Sequence, residues 1–370
     1  MSKAAITLKV MQFNIEYGGQ GVDFSSVGKA ILAADAAVVA IQEGCATMPD
    51  IAADLGWDFW DARTQVVSKH PLLTPADVRP GAILVEAEPG RVFALVNVHP
   101  PSRGFGPTRA ARGKPAQKIR RREKQVRLPA LIPSIDTART LVQQGIPVIL
   151  LGDFNAPSHR DWTQQTVGLR SHVKYPMRWP TSVAVEAAGL IDVYRALYPD
   201  PVTHQGLTWP ALRPFVKGYN PGAAGKAADR IDLMFVSDAI EPKSMQIVGE
   251  EQSPMSDITV TPWPTDHRAL VAQLQIQSGA APTLVSIDRQ CSPAGDERVL
   301  RYEASDADAA RIEVLPAGSG TYDPLVAIAL DDRSRGAVQL STTRIPPGTY
   351  YIALVNNENG ELARARFWLT

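Results

Sequence analysis

The chain has 370 residues, 45% of them hydrophobic and 21% charged, with 38 Lys and Arg against 38 Asp and Glu. This composition excludes a mainly disordered chain and leaves room for two domains, and zero net charge means that attraction to a polyanion must come from a local patch. The two cysteines, Cys45 and Cys291, lie far apart in different candidate domains, which argues against a disulfide framework, and no apolar run approaches a membrane span.

Residues 1–9 pass into the first apolar run with no charged leader or small-residue cleavage site, so the expectation is no signal peptide and a cytoplasmic setting. An apolar run from Leu8 to Phe13 predicts a strand. A helix opened by Asp23 and running to about Ala34 follows, then a second strand from Ala36 to Ile41. Phe93 to Val98, Val148 to Leu151, Ile231 to Val236 and Ala269 to Ile276 continue the series, short and rich in β-branched residues. The alternation implies an α/β or α+β layered domain over residues 1–276.

Between the third and fourth of these strands, Arg103 to Arg127 carries ten Lys or Arg against one acid, Glu123. Its first half holds Gly104, Gly106, Pro107, Gly113 and Pro115 and reads as a mobile loop; its second, from Gln117, reads as a basic helix. Such a run is as often a solvated face as a substrate patch. Residues 277–282 lose apolar periodicity and read as a linker. Beyond it, seven short apolar runs separated by turns fit a small all-β sandwich, immunoglobulin-like, over 283–370. It contains no histidine, and no chemistry is assigned to it.

Polar residues interrupt the apolar runs at or near their ends: Asn14, Glu43, His99, Asp153 with Asn155, Asp232, and the pair Asp266 and His267. A packed sheet projects such positions into one cleft. Taken singly, each has a plain structural reading, Asn14 as a turn cap and Asp232 as half of an edge salt bridge. Taken together they favour an enzyme acting on phosphate. His70, His159, His172 and His204 are read as structural, and Trp209 as either cleft floor or core.

Seven pieces, Phe13-Asn14-Ile15, Gln42-Glu43, Ser68-Lys69-His70-Pro71, Asn97-Val98-His99, Gly152-Asp153-Phe154-Asn155, Arg230-Ile231-Asp232 and Asp266-His267, occur in an order that resembles the endonuclease/exonuclease/phosphatase superfamily, over about Leu8 to Ile276. The resemblance implies two facing mixed β-sheets flanked by helices, a four-layer sandwich, with a divalent metal, Mg2+ or Mn2+, in the cleft. By that analogy Glu43 is the principal metal ligand, with Asn14 and Asp266 beside it. Asp153 orients or deprotonates the attacking water, and Asn155 supports it. His267, held by Asp232, faces the phosphate, with His99 as a second imidazole. Histidine at 99 disfavours the abasic-site endonuclease branch, where tyrosine is usual. A carboxylate partner for His99 is sought in residues 57–64 and not fixed. The expected activity is metal-dependent phosphodiester hydrolysis, on DNA or RNA through the basic segment. The alternatives are a small-molecule or lipid head-group phosphatase or phosphodiesterase, and a non-catalytic binding or scaffold protein.

Overall fold

The computed structural model describes residues 5–74, 81–214, 227–277, 279, 282–304, 309–318, 323–331 and 334–370. The first unit of the fold is strand, helix, strand: β1 (Ile6–Asn14), α1 (Ser25–Ala33) and β2 (Val38–Gln42), with β1 and β2 parallel and Asn14 opposite Gln42. Asp23 starts α1 by accepting the Ser25 N–H at 3.1 Å. Helix α2 (Met48–Leu55) has Pro49 in its first turn and stops at Gly56, whose φ of 63° is the left-handed ending that glycine supplies.

Five short or mid-length strands follow: β3 (Phe59–Asp61), β4 (Val66–Ser68), β5 (Leu72–Leu73), β6 (Ala82–Glu88) and β7 (Arg91–Val98). Helices α3 (Gly106–Ala111) and α4 (Ala116–Gln143) occupy the insertion before β8 (Val148–Asp153). The domain is completed by α5 (Pro180–Ala187), β9 (Ile191–Asp192), α6 (Val193–Leu197), β10 (Asp232–Val236), β11 (Ile240–Gly249), β12 (Ile258–Thr259) and β13 (Ala269–Ile276). One mixed sheet has the order β12-β11-β13-β1-β2-β4-β3 and the other β5-β6-β7-β8-β10-β9.

The insertion departs from its expected form. Residues 106–111 are helical in place of the expected loop, and the basic helix runs on to Gln143. Pro129 and Pro133 do not end it, because both lie on its exposed side, while Leu131, Ile135, Ala138 and Leu141 pack inward.

The two-residue period of the strands sorts the core into layers. Val10, Ala40, Leu95, Leu151 and Met234 point between the sheets, whereas Met11, Val39 and Ile41 meet α1 and α2, and Val96, Leu150 and Phe235 meet α4. Following the inward parity to the strand ends leads from Val10 to Gln12 and Asn14, from Ala40 to Gln42, from Leu95 to Asn97 and His99, and from Leu151 to Asp153. The interior between the sheets is therefore apolar at one end and polar at the other.

In residues 283–370, strands β14 (Leu284–Ile287), β15 (Cys291–Ser292), β16 (Glu297–Glu303), β17 (Ala309–Pro316), β18 (Val326–Ala329), β19 (Arg335–Ser341), β20 (Gly348–Asn356) and β21 (Glu361–Leu369) form two sheets, β14-β16-β19 and β15-β21-β20-β17-β18. This all-β part packs on the first: Trp60 stacks on Trp368 at 4.8 Å, and the Trp60 N–H donates to Gln290 at 2.9 Å. Of the linker positions, 278, 280 and 281 lie outside the described residues, and Gln277 is held by its N–H on the Ala239 carbonyl at 2.9 Å.

Gly152 marks the tightest approach in the second sheet. Its φ is 150°, and a Cβ there would sit 1.9 Å from the Val98 carbonyl oxygen. Gly152→Ala is expected to lower unfolding free energy by about 3 kcal/mol or more, read by denaturant titration, with Gly21→Ala, whose Cβ meets nothing within 4 Å, as the near-neutral control. Equal stabilities for the two variants would refute the close approach.

Candidate active site

All eight residues singled out in the sequence gather at the polar end of the sandwich. Six of them, His99, Asp153, Asn155, Glu43, Asp266 and His267, line one cavity of about 510 Å³, with Asn14 against Asp153 and His267 and with Asp232 behind His267. Strand register dictates the central contact. Asp232 on β10 is directly opposite Asp153 on β8, so both carboxylates emerge on the same face, fully buried and near each other. His267 lies between them, with Nδ1 3.0 Å from Asp232 Oδ2 and Nε2 3.7 Å from Asp153 Oδ2.

Burial alone would drive the His267 ring toward its neutral form. The charges of Asp232 and Asp153 and the hydrogen bond to Asp232 outweigh it and lift the ring to about 10. It is an imidazolium at neutral pH, with Nε2–H toward the cavity. Burial raises Asp232 above the usual carboxylate range, only partly offset by His267. For Asp153 burial acts the same way, but the His267 charge and the His99 hydrogen bond prevail and hold it low.

Asp153 is also the most heavily served acceptor. Its Oδ2 receives Asn14 Nδ2 at 3.1 Å and Asn155 Nδ2 at 3.2 Å and lies 3.3 Å from His99 Nε2, while Oδ1 receives the Asn155 N–H at 2.7 Å. Here the partner of His99 is found. It is Asp153, across the parallel β7–β8 pairing, and not a carboxylate of residues 57–64, where Asp61 is engaged by Thr64 at 2.7 and 2.8 Å. Desolvation depresses the His99 ring, yet the Asp153 hydrogen bond, with the charges of Asp153 and Glu43, leaves it above its ordinary value.

Two further carboxylates stand on the opposite rim. Glu43 Oε2 accepts the Tyr17 N–H at 3.1 Å, and Asp266 Oδ2 accepts Trp209 Nε1 at 3.0 Å. Glu43 Oε1 takes Asn14 Nδ2 at 3.3 Å, and Asp266 Oδ1 lies 3.7 Å from His267 Nε2. Asn14 spends its amide oxygen on the Glu16 N–H at 3.0 Å, so its nitrogen faces the carboxylates. Glu43 and Asn155 have φ of 62° and 50°, left-handed for residues other than glycine; backbone outliers of this kind cluster at functional sites.

Sequence reasoning passed over Glu16, which lines the cavity, is clamped by Arg213 at 2.6 and 2.9 Å, and receives the Asp266 N–H at 3.2 Å. It also passed over Gln12, buried below Asp232. The signal available for Gln12 was its inward parity with Val10 and Asn14. The four histidines read as structural have partners of that kind: His172 is 2.8 Å from Asp229, His159 contacts Ser182 and Glu186, His204 stacks on Tyr198, and the His70 N–H donates to Ser68. Trp209 lines the cavity.

The sequence pattern of the Endonuclease/Exonuclease/phosphatase family matches residues 11–267, well over half of the chain. The chain belongs to that family. An uncharacterised Caenorhabditis elegans protein, F14F9.5, is 26% identical over 290 residues, 72% of this chain and 90% of that protein. Among solved structures, an endonuclease/exonuclease/phosphatase from Beutenbergia cavernae DSM 12333 is 16% identical with a TM-score of 0.43, covering 98% of this chain and 100% of its own. D. rerio TDP2 complexed with single strand DNA product is 12% identical with a TM-score of 0.41, covering 72% and 98%. Family membership makes this protein a metal-dependent phosphoric ester hydrolase. Asp153, Asp232 and His267 bring possible ligand atoms within 4.8 Å of one another. No helix among the described residues is long and apolar enough to cross a membrane.

A histidine that titrates near 6.5 when unfolded and about 10 when folded contributes stability that is complete below the lower value and lost as pH rises through the upper one. In metal-free buffer the unfolding free energy is therefore expected to fall between pH 7 and 10, and His267→Gln to flatten that slope. The same variant strands two buried carboxylates and is expected to cost about 3–5 kcal/mol near neutrality. Parallel stability profiles for the two proteins would rule out the imidazolium.

Proposed function

We propose that this protein is a phosphodiesterase acting on nucleic acid, an assignment carried by the basic segment that forms one wall of the cavity. Ser102, Phe105 and Thr108 line the cavity from that segment, and Arg103, Arg112, Lys114, Lys118, Arg120, Arg121 and Lys124 are exposed on it. Seven exposed cations with no exposed acid among them suit a chain of phosphates better than a single small ester.

The metal is assigned to Glu43 and Asp266. Hard divalent cations take oxygen ligands, and here two carboxylates line the cavity, each steadied by an N–H donor, at Glu43 Oε2 and Asp266 Oδ2, with Glu43 Oε1 held only by a longer bond from Asn14 Nδ2 at 3.3 Å. The trio of Asp153, Asp232 and His267 suits a cation less well, because His267 Nδ1 and Asp232 Oδ2 are spent on each other at 3.0 Å and Asp153 Oδ2 already receives Asn14 and Asn155. Asn14 presents its nitrogen, so in this reading it braces Glu43 against Asp153 in place of binding the ion. A divalent ion at Glu43 and Asp266 supplies neutralisation of phosphoryl charge.

The protein's own groups do the remainder. Asp153, kept anionic, accepts a hydrogen bond from the incoming water and orients it, with Asn155 fixing the carboxylate. His267 donates its Nε2–H to a phosphate oxygen and stays oriented through Asp232. His99, at the rim, donates to the same phosphate group or to Asp153.

The deciding assay compares bis(4-nitrophenyl) phosphate with 4-nitrophenyl phosphate, with and without Mg2+ or Mn2+, followed by single- and double-stranded DNA and RNA at low salt. Diester preference and polynucleotide cleavage are expected, and monoester preference would move the assignment to a phosphatase. Asp153→Asn is expected to lower kcat by about 10²–10⁴-fold. Replacing Arg120, Arg121 and Lys124 by alanine is expected to raise KM for a polynucleotide and to flatten its log–log salt dependence by about one for each phosphate no longer neutralised. An unchanged salt slope would remove the basic segment from the substrate path.

A further inference from the structure

We infer that Gln12 is a positioning residue for the catalytic imidazole, the last member of a one-way hydrogen-bond relay that crosses the sandwich. The relay begins at backbone carbonyls, which can only accept. Asn97 Nδ2 donates to the Ile41 and Thr64 carbonyls at 2.7 and 2.9 Å, which turns Asn97 Oδ1 toward β2 as an acceptor. Gln42 Nε2 donates to that oxygen at 2.7 Å and to the Ala40 carbonyl at 3.4 Å, which leaves Gln42 Oε1 facing β1. Gln12 Nε2 donates to Gln42 Oε1 at 2.5 Å and to Asp232 Oδ1 at 2.7 Å.

Each amide orientation is thus set by the one before it, and a flip anywhere along the row would place oxygen against oxygen. The end result is that Asp232 receives a donor on Oδ1. Its Oδ2 is then committed to His267 Nδ1 at 3.0 Å, and Nε2 is committed to the cavity. Gln12 is fully buried, and its Oε1 has no hydrogen-bond partner among the described residues. A strand position that needed only bulk would hold an apolar side chain, as Val10 does two residues earlier on the same face. An amide kept with one end unsatisfied points to its other end as the reason.

This inference rests on the phosphoesterase chemistry of the same site and is tested on a substrate that reaches no farther than the cavity. The measurement is a double-mutant cycle on bis(4-nitrophenyl) phosphate turnover with Mg2+ or Mn2+, using Gln12→Met, Asp232→Asn and the pair. Gln12→Met keeps the volume and removes the donor. It is expected to lower kcat by about 10–100-fold, with KM within about two-fold. In the Asp232→Asn background it is expected to cost nothing more. A kcat unchanged by Gln12→Met, or losses that multiply in the double variant, would overturn the relay. Gln12→Leu serves if Gln12→Met unfolds.

A second readout does not depend on turnover. The His267 Nδ1–H proton should give a downfield resonance, identified by its absence in His267→Gln and moved or lost in Gln12→Met. If that resonance stays in place, the relay is wrong even in an active enzyme. If it moves while no phosphoester is hydrolysed by the wild type, the relay stands and the substrate assignment fails.

Discussion

Two carboxylates that strand register forces onto one face set the terms for everything around them. Asp153 and Asp232 are opposite one another in an antiparallel pair, at the ends of two interior strands and away from water. Like charges in that arrangement repel, and neither has solvent to screen it. His267, delivered from the start of β13 in the other sheet, lies between them as a cation. A buried ion pair of this kind adds little net stability over apolar packing, since desolvation offsets the attraction, yet removing one partner is costly. What the arrangement does supply is placement: it sets an imidazole and a carboxylate side by side at the same cavity wall.

The surrounding residues follow from that need. Asn14, Asn155 and His99 converge on Asp153 from three different strand ends, and Gln12 and the backbone N–H of Asp232, which donates to Thr208 Oγ1 at 3.1 Å, secure the Asp232 side. The strand ends themselves turn sharply. Glu16, Tyr17, Glu43 and Asn155 all have positive φ immediately after β1, β2 and β8, which takes the chain out of the sheet within a residue or two and leaves these side chains at the rim. Such conformations cost about 1–3 kcal/mol each, and each here is backed by a specific bond, as Gly18 N–H to the Glu43 carbonyl at 2.8 Å.

The central strands of the catalytic part were legible because their apolar runs are long enough to show a period; β3 to β5, at two or three residues, show none. The eight candidate residues stood out because each breaks an apolar run or follows one. Gln12 breaks nothing, since Val-Met-Gln-Phe-Asn reads as an ordinary alternating strand, and only the pairing with Asp232, 220 positions away, gives it meaning. The partner of His99 lies across a parallel pairing with residues 99–147 between the strands, a register that no local pattern encodes. The basic helix runs past Arg127 to Gln143 through Pro129 and Pro133, both on its exposed side.

The same helix is tied to the cavity through one buried pair. Of the ten basic residues between 103 and 127, Arg127 is fully buried, paired with Glu123 at 2.6 Å and donating to the Ser102 carbonyl at 2.9 Å. Burial raises the Glu123 carboxyl, with the Arg127 charge working against it, so the pair is a pin and not a surface ornament. From Ser102 the chain continues back to Pro100, whose carbonyl accepts Asn155 Nδ2 at 3.0 Å. The exposed cations are thereby mounted on a wall fixed at one end to Asn155 and at the other to the helix. Chemistry common to phosphate esters resides in the cavity, whose polar groups are blind to what lies beyond the phosphate. Under the nucleic-acid assignment proposed above, discrimination among substrates falls to the wall, whose charges would meet the further phosphates that a polymer has and a small ester lacks.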